Sequence, residues 1–139
     1  LGRTVGELLT EEILSDAHHE KLSKVPVFLG GPVNREHLTF SAFGWSEAEA
    51  ELQYNTHLSA AEAVMHQMEG FHIRAFVGYS GWSEGQLEDE MESNSWITHK
   101  PEPEVIDLSK VDGLWKLLLR DLSPWHKLIA DEPDDLGLN

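Results

Sequence analysis

Ser80 lies between Gly78 and Gly81, and the nearest histidine on the same segment is His72. A serine nucleophile needs a base within hydrogen-bond reach and a turn that exposes its hydroxyl. The run Gly78-Tyr79-Ser80-Gly81-Trp82 departs from the Gly-x-Ser-x-Gly elbow, because its closing position is Trp82. Serine catalysis by Ser80 with His72 as base is therefore a weak reading. Eight histidines invite a metal, yet His18, His19, His37, His57, His66, His72, His99 and His126 show neither an HExxH pattern nor a histidine-carboxylate ligand motif on one helix. Incidental surface histidines, with no metal and no cofactor, are the expectation. Gly30-Gly31-Pro32 could shape a small backbone nest for an anion, but no lysine follows it; a plain turn is the simpler account.

The densest chemistry is in residues 78–92. Gly78, Gly81 and Gly85 permit left-handed backbone or close approach, for a ligand or for a packed neighbour. Tyr79 and Trp82 offer amphipathic contact area that suits a protein partner, or else turn packing. Glu84, Glu88, Asp89, Glu90 and Glu92 crowd one short segment, and the Glu84/Glu88 and Glu88/Glu92 spacings place like charges one helical turn apart without a Lys or Arg to relieve them. Such a run is a solvated face, a dock for a basic partner surface or a weak cation site, although no EF-hand loop spacing supports the last. The candidate binding set is Gly30, Gly31, Pro32, Tyr79, Gly81, Trp82, Gly85, Gln86 and Glu88.

Ten Lys and Arg against twenty-five Asp and Glu give a formal charge of -15. That field repels phosphate backbones and anionic head groups, so direct nucleic-acid or membrane binding is not expected. The absence of cysteine removes disulfides, thiolate metal sites and cysteine nucleophiles, and fits a reducing compartment. No apolar run approaches the ~20 residues of a membrane helix, and the start lacks the zones of a signal peptide, so a cytoplasmic protein is the default.

The elements that must position these residues follow from periodicity. Thr4 and Glu7 form a capping box ahead of a helix near 5–14, whose stripe is Val5, Leu8, Leu9 and Ile13. Polar residues 15–24 read as a loop, Val25-Pro26-Val27-Phe28-Leu29 as a buried strand, and 38–43 as another. Residues 47–51 are ambiguous. Ser59 and Glu62 cap a helix over 59–69 that Gly70 stops, with Leu58 placed as a staple. Alternation over 71–77 predicts a strand with one buried face. Ser83 and Gln86 cap a helix near 84–93 with Leu87 and Met91 facing the core. Trp96-Ile97 and Val105-Ile106 read as short edge strands around Pro101 and Pro103. Ser109 opens the longest helix, with a stripe of Val111, Leu114, Trp115, Leu118 and Leu122 despite Gly113. A single domain spans 1–130, followed by a mobile acidic tail over 131–139.

Val27-Phe28-Leu29-Gly30-Gly31-Pro32-Val33, then Gly78-Tyr79-Ser80-Gly81-Trp82 with Gly85-Gln86-Leu87-Glu88 and Trp96, resemble the bacterial YqgE/AlgH family. The likeness runs from Leu1 to about Trp125. It implies an α+β fold with a mixed, strongly bent sheet resembling a partial barrel, flanked by helices. It also implies a strand-rich segment ahead of Leu1, which this sequence does not contain. At Ser41-Ala42-Phe43 the sequence departs from a Leu-His pair of many relatives, so no role of that histidine carries over. The resemblance implies a link to transcriptional regulation, and no particular enzymatic activity.

Three functional readings follow. The first is a cytoplasmic, non-enzymatic regulatory or protein-binding domain that uses the turn at Trp82 and does not contact DNA directly. The second is a hydrolase or small-molecule-binding protein whose pocket is lined by Tyr79, Trp82 and Gln86, with Glu84 or Glu88 as acid or base. The third is a self-associating homo-oligomer that pairs through an exposed sheet edge.

Overall fold

The computed structural model describes residues 2–9, 15–107, 111–120 and 122. Contacts divide the chain into two compact units, residues 1–97 and 98–139.

The first unit is built on an open five-stranded mixed sheet of order β1-β2-β5-β3-β4. Its strands are β1 (Arg3–Thr4), β2 (Pro26–Leu29), β3 (Val33–Ser46), β4 (Glu51–Leu58) and β5 (His72–Tyr79). β2 and β5 are parallel, whereas β1/β2, β5/β3 and β3/β4 are antiparallel. With its helices this is the expected α+β class, and the sheet does not close on itself.

Register decides which residues share a face. Val27 pairs with Ala75, Ala75 with Phe40, and Ile73 with Ala42, so these five side chains line one side of the sheet. All are buried, and they form the core with Val5, Leu22, Ala63 and Val64. These four come from the helices α1 (Val5–Leu8), α2 (Asp16–Leu22) and α3 (Ala60–Met68). On the opposite side lie Phe28, Phe76 and Thr39 in one row and Arg74 and Ser41 in the next. The Phe28 and Phe76 rings are 5.8 Å apart, and the Arg74 guanidinium lies 5.2 Å from the Phe43 ring centroid.

α3 has the boundaries its caps dictate. The Glu62 carboxylate accepts from Ser59 N–H at 2.8 Å, and the Ser59 hydroxyl oxygen accepts from Glu62 N–H. At its other end Gly70 takes φ +94°, while Phe71 N–H donates to the His66 carbonyl and Gly70 N–H to that of Gln67. This is a Schellman closure, completed by the His66 and Phe71 rings in edge contact at 5.3 Å.

Several sequence expectations need correction. α1 keeps its Thr4/Glu7 capping box but stops at Leu8, with Leu9 extended; residues 10–14 lie outside the described set. The expected loop over 15–24 holds α2, because the fully buried Leu22 gives this polar segment an anchor in the core. Residues 47–50 form a turn, and β4 follows it unforeseen; it lies at the sheet edge with most residues exposed on both faces, so it shows no alternation. Trp96-Ile97 is not a strand.

In the second unit, Val105-Ile106 belongs to a 3-10 turn, Pro103–Ile106, where Pro103 sits in the first turn and needs no amide partner. Helix α5 (Val111–Arg120) is described for ten residues, with Gly113 exposed inside it. Trp115, expected on the buried stripe, is 64% exposed, whereas Leu119 is buried. The acidic tail, residues 131–139, lies outside the described residues.

Candidate functional site

β2 and β5 run parallel and side by side, with Gly30 and Gly31 just past the end of β2 and Gly78 near the end of β5. A Cβ on Gly31 would lie 2.2 Å from the Tyr79 carbonyl carbon, and one on Gly30 would lie 2.4 Å from the Gly78 carbonyl oxygen. Gly78 in turn adopts φ +70°, and a Cβ there would lie 2.5 Å from the Gly31 oxygen. These glycines let two backbones touch, which leaves Gly30 and Gly31 no open nest and explains the first sequence motif as packing. Among the described residues a Cβ on Gly81 would meet only the Tyr79 ring, at 3.6 Å, and Pro32 is exposed.

Beyond Tyr79 the chain carries Trp82 to the start of helix α4 (Gln86–Glu92). The helix opens on Gly85 in a left-handed conformation, φ +80°, so Glu84 precedes it and only the Glu88/Glu92 spacing remains a like-charge pair on one helix. The Gln86 side-chain oxygen reaches back to accept from Ser83 N–H at 3.1 Å and from the Ser83 hydroxyl at 3.0 Å. Its amide nitrogen donates to Glu90 Oε1 at 2.9 Å. Gln86 thus ties the turn before α4 to the next turn of the helix.

Glu90 is the centre of this region. Its Oε2 accepts from the indole N–H of Trp82 at 3.1 Å and from that of Trp96 at 2.6 Å. The two indoles meet edge to face with centroids 5.7 Å apart. Hydrogen bonds from Trp96, Gln86 and Trp82 all favour the ionised form and hold the Glu90 carboxyl below the usual carboxylate range. Both rings nevertheless remain open to solvent, Trp82 at 40% and Trp96 at 47%. Leu87 and Met91, expected to face the core, are exposed, as is Ile97; no residue of α4 is buried. Glu88, Asp89 and Glu92 are exposed on the same helix, with no basic residue in its last turn. The result is an aromatic pair fixed on a carboxylate, bordered by apolar side chains and acids.

A separate pocket of about 320 Å³ opens on the face of the sheet away from the helices. Phe76, Tyr79 and Trp82 supply its aromatic lining, and Gly30 and Gly78 line its glycine side. Thr39, Ser41, Thr56, Ser80 and His57 bring polar atoms to it. Of the expected pocket residues, Tyr79 and Trp82 are present; Gln86, Glu84 and Glu88 are not among its lining, and among the described residues that lining contains no carboxylate. Ser80 shares the pocket with His57, while His72 stands at the other end of β5, about 26 Å of extended chain away.

Three of the proposed binding residues, Tyr79, Trp82 and Gln86, therefore converge around the end of β5 and the start of α4, and Gly30, Gly31 and Gly78 form the joint beneath them. Glu90 and Trp96 were not singled out together from sequence, although the Gln86/Glu90 spacing of one helical turn already puts a donor and an acceptor on one side of α4. Ser41, Thr39, Thr56 and His57 carry no local signal; only strand register brings them to Tyr79. Among the described residues no group of three or more His, Asp or Glu could hold a metal ion, and no helix is long and apolar enough to cross a membrane.

The sequence matches the family described as AlgH-like (DUF179) over residues 1–126. It is 29% identical to a UPF0301 protein of Chlamydia pneumoniae, covering 100% of this chain and 77% of that protein. It is 32% identical to UPF0301 protein PSHAa2600 of Pseudoalteromonas translucida over 81% of this chain and 64% of that one. A UPF0301 protein of Chlorobium luteolum is 40% identical over 48% of this chain and 35% of its own length, so the chain spans only part of the relatives it matches. Protein DIP2367 from Corynebacterium diphtheriae, solved by X-ray crystallography, superposes with a TM-score of 0.55 at 19% identity, over 79% of this chain and 61% of that one. That likeness is one of fold.

Proposed function

The chain belongs to the AlgH-like family, and we propose that it is a cytoplasmic, non-enzymatic regulatory domain that binds a protein partner through the surface around Trp82, Trp96 and α4, without contacting nucleic acid directly. The single observation that supports this reading is the Glu90 clamp. Two tryptophans held half-exposed in one geometry lose little side-chain entropy on binding, which is what an aromatic anchor at a protein interface requires. Leu87, Met91 and Ile97 extend the apolar surface, and Glu88 and Glu92 favour a partner with basic residues beside an apolar groove. A net charge of -15 sets the same preference at long range and disfavours phosphate backbones.

The test compares the intact chain with Glu88→Lys and Trp82→Ala variants, each shown by circular dichroism to be folded. Captured proteins are purified and their affinity for each chain is measured directly. The reading requires at least one partner whose affinity falls in both variants and declines with added salt. Retention of every interaction by both variants would rule out this surface.

A further inference from the structure

We infer that the pocket on the open face of the sheet is a binding site for an uncharged, planar heterocycle of one or two rings. This goes beyond the proposed protein-binding surface on α4 and does not depend on it. The size is at the small end for a ligand site, about 320 Å³. Among the described residues the lining contributes no lysine, arginine or carboxylate, so it offers neither an anionic nor a cationic group a counter-charge. What it offers is flat apolar surface from Phe76, Tyr79 and Trp82, against which a planar ring can stack. It also offers hydroxyls that both donate and accept, from Thr39, Ser41, Thr56 and Ser80.

Ser41 is a buried polar residue of the lining. It sits mid-strand, paired with Arg74 across β3 and β5, and is 5% exposed. It lines the cavity, and a serine hydroxyl there offers a ligand both a donor and an acceptor. The strand opposite makes room for the ligand. Between Phe40/Leu58 and Ala42/Asn55 the register of β4 gains one residue, and His57 takes φ +59° at this bulge, which sets Thr56 and His57 at the pocket rim. Ring and hydroxyls together match a molecule with a flat face and adjacent donor and acceptor atoms at its edge.

The experiment is a titration of the whole isotopically labelled chain with nicotinamide, adenine and uracil, read by amide chemical shifts. Glucose serves as a hydroxyl-rich, non-planar control and adenosine diphosphate as a charged one. At least one of the three heterocycles should saturate with a Kd of about 1 mM or tighter, with shifts centred on Ser41, Thr56 and Tyr79. Ser41→Ala should weaken it by roughly fivefold, the worth of one hydrogen bond, and Thr56→Val, on an exposed edge strand that does not decide folding, should weaken it too. Glu88→Lys should leave it unchanged, which separates this site from the α4 surface. The inference is overturned if none of the three heterocycles gives saturable shifts up to its solubility, if glucose binds equally well, if adenosine diphosphate binds more tightly than adenine, or if the shifts cluster on α4.

Discussion

Trp82 and Trp96 meet edge to face at 5.7 Å, and both indole N–H groups end on the same oxygen of Glu90. The two rings are fourteen positions apart in sequence with a helix between them, yet one carboxylate fixes their mutual orientation. An oxygen that accepts two indole donors while its neighbour accepts from Gln86 has little remaining bonding capacity. Glu90 is thus the one acid of the α4 run whose role is internal, and Glu84, Glu88, Asp89 and Glu92 are the ones left facing outward.

Replacing that acceptor tests the clamp. Glu90→Gln keeps the shape but removes the charge that strengthens both indole bonds. The indole N–H resonances of Trp82 and Trp96 should both move upfield and exchange faster with solvent, while the amide spectrum of β2, β3 and β5 stays in place. Unchanged indole resonances would mean that Glu90 does not hold the rings.

Acid should act on the same group. The folded Glu90 carboxyl is lowered below its unfolded value by its bonds from Trp96, Gln86 and Trp82. A lowered carboxylate contributes stability that is complete above the unfolded pKa, about 4.3 for Glu, and is lost as pH falls through the folded pKa. The indole resonances of the wild type should therefore report a titration with its midpoint below about 4.3, absent in Glu90→Gln. A midpoint at or above that value contradicts the assignment.

The glycine joint yields a contrast within one loop system. Gly31→Ala places a methyl 2.2 Å from the Tyr79 carbonyl carbon, where only backbone movement relieves the clash. Overpacking of this kind costs about 1–3 kcal/mol or more. Gly81→Ala meets nothing nearer than the Tyr79 ring at 3.6 Å and should stay within about 0.5 kcal/mol of the parent. Urea denaturation of the two variants measures the difference, and equal stabilities would show that the loops are free to separate.

Of the three capping boxes in the sequence, the one at Ser59 marks its helix correctly, whereas α1 is shorter than expected and α4 begins at Gln86 behind Gly85 and not behind Ser83. Ser59, Glu62 and Gly70 bound α3 because a capping box and a Schellman closure each act within about five residues of chain. The glycine motifs were readable as motifs but not as a joint, since the approach of Gly31 to Tyr79 depends on parallel pairing between β2 and β5, some forty-eight residues apart in the chain. α2 was hidden because a single residue, Leu22, supplies its anchor, and β4 because an exposed edge strand has no apolar side to alternate. The Glu90 clamp joins residues eight and six positions apart through side chains alone, which no periodicity records.

Leu22 makes the first of those hidden elements testable. It is fully buried in the core from a helix whose other residues, Ala17 apart, are polar, so Leu22→Ala should cost about 2–5 kcal/mol. A denaturation midpoint near that of the parent would show that α2 does not pack where it is placed.

His57 makes the other testable. At the bulge of β4 it holds φ +59°, a left-handed conformation that costs a non-glycine residue about 1–2 kcal/mol. His57→Gly removes the Cβ conflict and should raise stability by a few tenths to about 1 kcal/mol after the loss of unfolded-state restriction is counted. His57→Val, β-branched and poorly suited to positive φ, should lower it by about 1 kcal/mol or more. The pair is informative because the two variants move in opposite directions only if the bulge is real. If β4 instead ran in regular register with residue 57 extended, valine would be welcome at an edge strand and glycine would be the destabilising change. Reversal of the order in thermal melts would therefore remove the bulge, and with it the rim that Thr56 and His57 give to the pocket.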